Sequence, residues 1–294
     1  VSVPTLTDLR DALGSRATER VERVISLGQQ LAEALDAGQD VDAELKSATV
    51  DAIVEMVGSG EGPSKLRLKL GEVLAQLGDP RLRGPNQADY WVSVDLDLGP
   101  VQVGRFAVTI AEWKRFVAEG GYSDDALWDD EGRAWRDGIR HSWVELAARQ
   151  SVAHLMVENQ PVVGVSWFEA MAYATKHNAR LLSFSERMQV VRGPEKRPYP
   201  WGAPFGQGNA NTREQVLERP CAVGLFVRDV TPEGIYDLAG NVGEWTSDRV
   251  GDDCILHPGS WEQTSMAAWA KARSLEPAKT RGASLGFRLA RDVD

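Results

Sequence analysis

A frame of glycines and aromatics closes this chain. Gly259-Ser260-Trp261 is followed, 24 positions after the tryptophan, by Leu285-Gly286-Phe287-Arg288, and small residues fill most of the stretch between. Ten tryptophans occur in 294 residues, several beside Gly or Pro, which suits a loop-rich fold whose indoles fill space that regular elements leave open. Past Pro85, short β-branched runs with Gly and Trp replace long amphipathic periodicity, and helices are expected only near 110–119 and 166–177. Short strands with many loops predict an α+β domain over 86–294, in which loops carry function and the core fixes them.

Residues 1–82 differ in character. Val21, Val24, Leu27, Leu31 and Leu35 recur at helical steps, with Gly28 as an interruption, and a second run holds Val50, Ile53, Val54 and Val57. After the breaker Gly58 to Pro63, a third run carries Leu66, Leu70, Val73, Leu74 and Leu77 and stops at Gly78-Asp79-Pro80. The ending Leu74 to Pro80 is similar to the second helix of HEAT-type repeats. One unit is visible, so the reading is a HEAT-like piece or a small helical bundle.

A net charge of −10 argues against a nucleic-acid or anionic-membrane partner, since either requires clustered Lys and Arg. No apolar run approaches the roughly 18 residues of a membrane helix, and the N-terminus lacks signal-peptide regions, so a cytoplasmic location is expected. The start at Val1 leaves room for an upstream effector domain. Cys221 and Cys254, 33 apart, match no zinc spacing and read as free thiols or a single bridge. Asp124-Asp125 and Asp129-Asp130 read as solvated loop, and no nucleophile elbow or phosphate loop is present.

Upstream of the closing frame stands Tyr236-Asp237-Leu238-Ala239-Gly240-Asn241-Val242-Gly243-Glu244-Trp245-Thr246. It resembles the signature of the formylglycine-generating-enzyme family, the sulfatase-modifying-factor type of C-type-lectin-like fold. Val103 to Thr109 with Trp113 and Phe116, Asn159 to Trp167, Arg180-Leu181, and Tyr199-Pro200-Trp201-Gly202 follow in that family's order. The resemblance runs from about 86 to 291 and implies an α+β lectin-like fold rich in irregular structure, preceded by the helical region.

The resemblance also implies a calcium loop, with Asp237 and Glu244 giving side-chain oxygens, Gly240 and Val242 giving backbone oxygens, and Asn241 holding the turn. A second loop of the family places Asn211 and the Thr212 carbonyl, without its downstream acid. Catalysis in the family rests on two thiolates that bind copper, and those positions fall on Gln263 and Ala268, neither of which binds Cu(I). Gly243 stands where a tryptophan normally precedes the glutamate. Iron-using relatives hold the metal with histidines, largely on a helical-bundle domain, but residues 1–82 contain none. His141, His154, His177 and His257 are scattered and read as surface or hydrogen-bonded core residues, so neither copper nor iron is expected.

The reading that remains is recognition without turnover, of a protein or other ligand. Its surface would be Trp261, Gln263, Thr264, Ser265, Ala267, Ala268, Trp269, Ser274, Leu275, Thr280, Gly282, Ala283 and Ser284, with Trp269 as the central aromatic and Arg273, Pro277 and Arg281 as scaffold. From Thr264 onward these residues, Trp269 apart, are reachable from asparagine codons by changing adenines. The family's retroelement-diversified variable proteins vary such positions inside a Gly-Ser-Trp and Gly-Phe-Arg frame. A plain non-catalytic paralogue is the other form of this reading, and a metal-dependent oxidase or maturation enzyme is the alternative to both.

Overall fold

The computed structural model describes residues 3–293; Val1, Ser2 and Asp294, at the outer limits of the two expected regions, lie outside the described residues. The chain divides into two compact units, Val1–Leu82 and Arg83–Asp294. The first unit holds α1 (Leu6–Leu13), α2 (Ala17–Asp36), α3 (Ala43–Ser59) and α4 (Ser64–Leu77). Val21, Val24, Leu31, Ile53, Leu70 and Leu74 are buried in it, as their spacing predicts. Gly28 does not break α2: it is buried facing Val73 and Leu77 of α4, where the helices approach closely. Helix α1 was not expected; its signal is the capping box in which Thr5 and Asp8 satisfy each other's backbone amides.

The second unit is an α+β, C-type-lectin-like arrangement of two four-stranded sheets. Its elements are β1 (Trp91–Leu96), β2 (Gly99–Gly104), α5 (Ile110–Ala118), α6 (Asp130–Gly138), α7 (Trp143–Ala147), α8 (Trp167–Lys176), β3 (Arg180–Leu181), α9 (Phe184–Arg192), β4 (Gly243–Val250), β5 (Asp253–His257), β6 (Ser274–Pro277), β7 (Leu285–Phe287) and β8 (Leu289–Asp292). One sheet runs β1-β2-β8-β3 and the other β6-β5-β4-β7. Helices α6, α7 and α9 add to the two expected from sequence. Asp129 accepts from Gly132 N at 2.6 Å and heads α6, so the acidic run read as solvated loop is a helix cap.

The two ends of the frame become neighbours here. Strand β7 pairs parallel to β4, with Glu244 opposite Gly286 and Trp245 opposite Phe287. Gly286 is required by proximity, since a Cβ there would lie 2.5 Å from the Val162 carbonyl oxygen. Gly259 is required for the same reason, 2.5 Å from the Ala239 oxygen. Phe287 then receives the aromatic faces of α5 and α8, with Trp113 at 6.0 Å and Tyr173 at 5.4 Å between ring centroids. Indole N–H groups tie distant segments together: Trp245 donates to Val165 O, Trp167 to Thr246 O of β4 and Trp143 to Val163 O.

Between the sheets sits a buried ionic clamp. Glu244 Oε2 accepts from Arg187 Nε at 2.7 Å, and Oε1 accepts from Arg288 Nη2 at 2.8 Å. Arg288 also donates to Gly104 O and Tyr236 O, and Arg187 to Leu238 O. Burial alone would raise the Glu244 carboxyl, but the charges of Arg288 and Arg187 hold it at about 2. Glu244→Gln leaves two guanidinium groups buried without their counter-charge, and a loss of about 3–5 kcal/mol in urea unfolding is expected. A loss under about 1 kcal/mol would show that the clamp is dispensable.

Candidate functional surface

The segment between the frame ends is held by its backbone. Trp261 N donates to Asn241 O at 3.1 Å, Arg213 N to Gln263 O at 2.9 Å, Ser265 N to Glu214 Oε1 at 2.8 Å and Ala270 N to Pro198 O at 2.9 Å. Strand β6 then pairs with β5, and Gly164 N and Gly243 N take the carbonyls of Gly282 and Ser284. Apart from Arg281 and the Ser284 hydroxyl, which donates to Glu262 Oε2, backbone rather than side chains positions this path. His257 adds a further tie: Gly259 N donates to Nδ1, which leaves Nε2–H to donate to Trp269 O at 3.1 Å. That imidazole is neutral and fully buried, and burial, aided by Arg187, pushes it down to about 3.

Most of the expected surface is exposed to some degree. Gln263, Thr264, Trp269, Leu275 and Ala283 face solvent, while Trp261, Ser265, Ala267, Ser274, Thr280, Gly282 and Ser284 are half-buried. Ala268 is a correction: its methyl is buried against Ala210 and Ala239, under the rings of Tyr199, Trp201 and Phe205. Those rings form a half-buried shelf, with Tyr199 and Trp201 stacked at 5.1 Å and Phe205 edge-on to both. Met266, which the codon reasoning passed over, is 83% exposed, and Trp269 is 45% exposed with the Lys271 ammonium over its ring. Arg273 and Pro277, expected as scaffold, are exposed.

Arg281 is scaffold. Its guanidinium donates to Glu169 Oε2 at 2.9 Å and Oε1 at 2.6 Å, to His141 O, and stacks over Trp135 at 4.8 Å. Glu169 was missed from sequence; its signal is Ser166-Trp167-Phe168-Glu169, the capping box that opens α8. Glu169 also accepts from the Tyr122 hydroxyl. One buried carboxylate thus joins a helix start, a core tyrosine and the returning C-terminal segment.

The first calcium loop fits poorly at Glu244, while the second keeps a buried oxygen, Asn211 Oδ1, without a hydrogen-bond partner. Glu244 faces two guanidinium groups, so it is not a ligand for a third cation, and Asp237 Oδ2 accepts from Gly224 N at 2.7 Å. Gly240 is buried with its N–H on Asp229 Oδ2, Val242 is buried beside Val163, and Asn241 bonds Cys221 N, Cys221 O and Asn211 Nδ2. At the second loop, Asn211 Nδ2 also donates to Arg219 O, and the Thr212 carbonyl accepts from Gln215 N.

The thiols are separate in kind. Cys221 lies in the asparagine network, and Cys254 is packed in the aromatic core, where burial pushes its thiol up to about 12. Both are free. His141 and His154 are exposed, and His177 packs on Tyr173. Among the described residues no group of three or more His, Cys, Asp or Glu is arranged to hold a metal ion, and no helix is long and apolar enough to cross a membrane.

The sulfatase-modifying factor enzyme 1-like domain family matches residues 59–293. A hercynine oxygenase of Mycolicibacterium thermoresistibile is 30% identical over 68% of this chain and 52% of its own length. An inactive C-alpha-formylglycine-generating enzyme 2 of Bos taurus is 27% identical over 67% of this chain and 78% of its own. The chain spans about half the length of the hercynine oxygenases it matches. The solved structure of PvdO from Pseudomonas aeruginosa superposes with a TM-score of 0.50 at 20% identity, over 66% of this chain and 81% of that one, a likeness of fold.

Two outcomes are expected. Gln263→Ala, Thr264→Ser and Leu275→Ser change stability by less than about 0.5 kcal/mol, whereas Arg281→Ala, which strands Glu169, costs about 3 kcal/mol; chemical denaturation separates them. Acid sensitivity has a defined cause as well. The unfolded His257 takes a proton below its ordinary 6.5 while the folded one refuses it to about 3, so its contribution is present above 6.5 and lost as pH falls. Glu112 acts oppositely: burial raises it to about 7, so its contribution is present below 4.5 and lost as pH rises through 7. Urea midpoints of His257→Gln should therefore decline less than those of the unmodified chain between pH 6.5 and 3; parallel declines would disprove the assignment.

Proposed function

The chain belongs to the sulfatase-modifying factor enzyme 1-like domain family, and from that premise we propose that its second unit is a recognition module that binds a protein or other ligand without turnover. The observation that carries this reading is Ala268. A copper-binding thiolate pair would require a sulfur there and another at Gln263; instead a methyl is sealed beneath three rings and an amide stands in solvent. What the same place offers is contact area. Trp269 and Met266 project from a backbone pinned on both sides, beside the Tyr199-Trp201-Phe205 shelf. Rigid aromatics with few rotatable bonds lose little entropy when a partner covers them.

Diversification of the segment fits this division between fixed backbone and free side chains. The listing of the neighbouring DNA would test it: a near-copy of the final codons, carrying adenines at the small-residue positions and lying beside a reverse-transcriptase gene, is the expected companion. A plain paralogue lacks it. The hercynine oxygenase relative, at 30% identity, favours a second reading, a metal-dependent oxygenase or maturation enzyme.

One experiment separates binding from turnover. Peptide-library panning on the whole chain should enrich sequences whose binding falls at least about tenfold in Trp269→Ala, while copper(I) and iron(II) titrations show no stoichiometric uptake and no oxygen consumption. Stoichiometric metal with oxygen uptake would sink the recognition reading. Calcium uptake alone would leave it standing and would reopen the loop at Asp237.

A further inference from the structure

A hollow lined in part by Arg281 opens in the second unit. Its volume is about 210 Å3. Trp143, Val152, Leu155, Met156 and Val163 supply its walls, and Ala283 stands at its rim. The walls are largely apolar: the Trp143 N–H is already spent on Val163 O, Leu155 and Val163 belong to a core cluster with Ala107 and Val242 on which Val152 and Met156 pack, and Ser151 brings the one hydroxyl of the lining. Hydrocarbon is what such walls accept.

The charges at the mouth are two guanidinium groups in different states. Arg281 is neutralised by Glu169 and stacked on Trp135. Arg149 also lines the hollow, is exposed, and makes no ion pair within 4.0 Å among the described residues. The carboxylate one turn before it, Glu145, is committed to Ser142 N at 2.7 Å and Ser142 Oγ at 3.1 Å in its own capping box. Arg149 feels the Glu145 charge but makes no ion pair with it within 4.0 Å, so a guanidinium beside an apolar hollow still favours one negative charge on a hydrocarbon body.

We propose that this hollow binds a small amphipathic monocarboxylate, its chain against Val152, Leu155 and Met156 and its carboxylate on Arg149. The volume lies below that of drug-sized sites and suits a body of roughly six to ten carbons. The proposal shares only Ala283 with the recognition surface and does not rest on that reading.

Isothermal titration of the whole chain with sodium octanoate, and separately with octan-1-ol, tests it. Octanoate is expected to bind saturably at one site, with Kd on the order of 0.1–1 mM. Arg149→Gln should weaken octanoate about tenfold and leave octanol unchanged. Val152→Trp, at a half-buried wall position, should abolish binding of both, with thermal melts confirming that each variant folds. Trp269→Ala should have no effect, which separates this site from the recognition surface. No saturable octanoate binding, or octanoate binding undiminished in Val152→Trp, would overturn the site. Equal affinity for octanol, or an Arg149→Gln variant that binds octanoate normally, would overturn the carboxylate.

Discussion

Two arginines sharing one buried glutamate hold the second unit together. Arg187 comes from α9, Glu244 from β4, and Arg288 from the single residue between β7 and β8. At that residue the chain leaves one sheet and enters the other, so the clamp fixes the point where the two sheets exchange a strand. Its charge does not balance by itself. The surplus positive charge is met by the carbonyl of Gly104 at the end of β2 and by those of Tyr236 and Leu238 in the signature loop. Such an arrangement gains little as an ion pair, because desolvation offsets most of the attraction, but breaking it by removing one partner is costly, because the remaining charges stay buried.

From that fixed point the C-terminal segment acquires its character. Both ends are anchored by residues that cannot change, Gly259 under Ala239 and Gly286 under Val162, while Arg281 ties the return through Glu169. Between the anchors the backbone is held by carbonyls and amides of other loops. Side chains such as Gln263, Thr264 and Leu275 then bear no structural duty. A surface of this kind can alter its chemistry without altering its shape, which is what recognition of changing or unrelated partners requires.

Much of this was legible in sequence, and the limits are physical. The frame, the signature around Asn241, the lectin-like class and the helices carrying Trp113 and Tyr173 could be read because close glycine packing and aromatic faces leave a local trace. Glu244 could not be assigned from its own neighbourhood: Arg187 and Arg288 lie 57 and 44 residues away, and a carboxylate beside a Gly-Asn turn looks alike whether it meets calcium or guanidinium. Ala268 looked displayed because its sequence neighbours are, yet the shelf that covers it comes from residues 199–205. Helices α7 and α9 were overlooked although Ser142-Glu145 and Ser183-Glu186 form capping boxes. Those helices are short, so the cap carries more signal than the periodicity does.

On the recognition reading proposed above, cysteines placed at 263 and 268 would not by themselves make a copper site. Soft-metal binding needs both sulfurs at one accessible place, with thiolates stabilised by nearby positive charge. Position 263 lies in solvent and position 268 lies under the Tyr199, Trp201 and Phe205 rings, with the neutral His257 tied to the Trp269 carbonyl beside it. A thiol at 268 would meet apolar surroundings that raise its pKa, as burial does at Cys254. On the proposed recognition reading, the packing around both positions weighs against a sulfur-held metal: the shelf covers position 268 and position 263 stands in solvent.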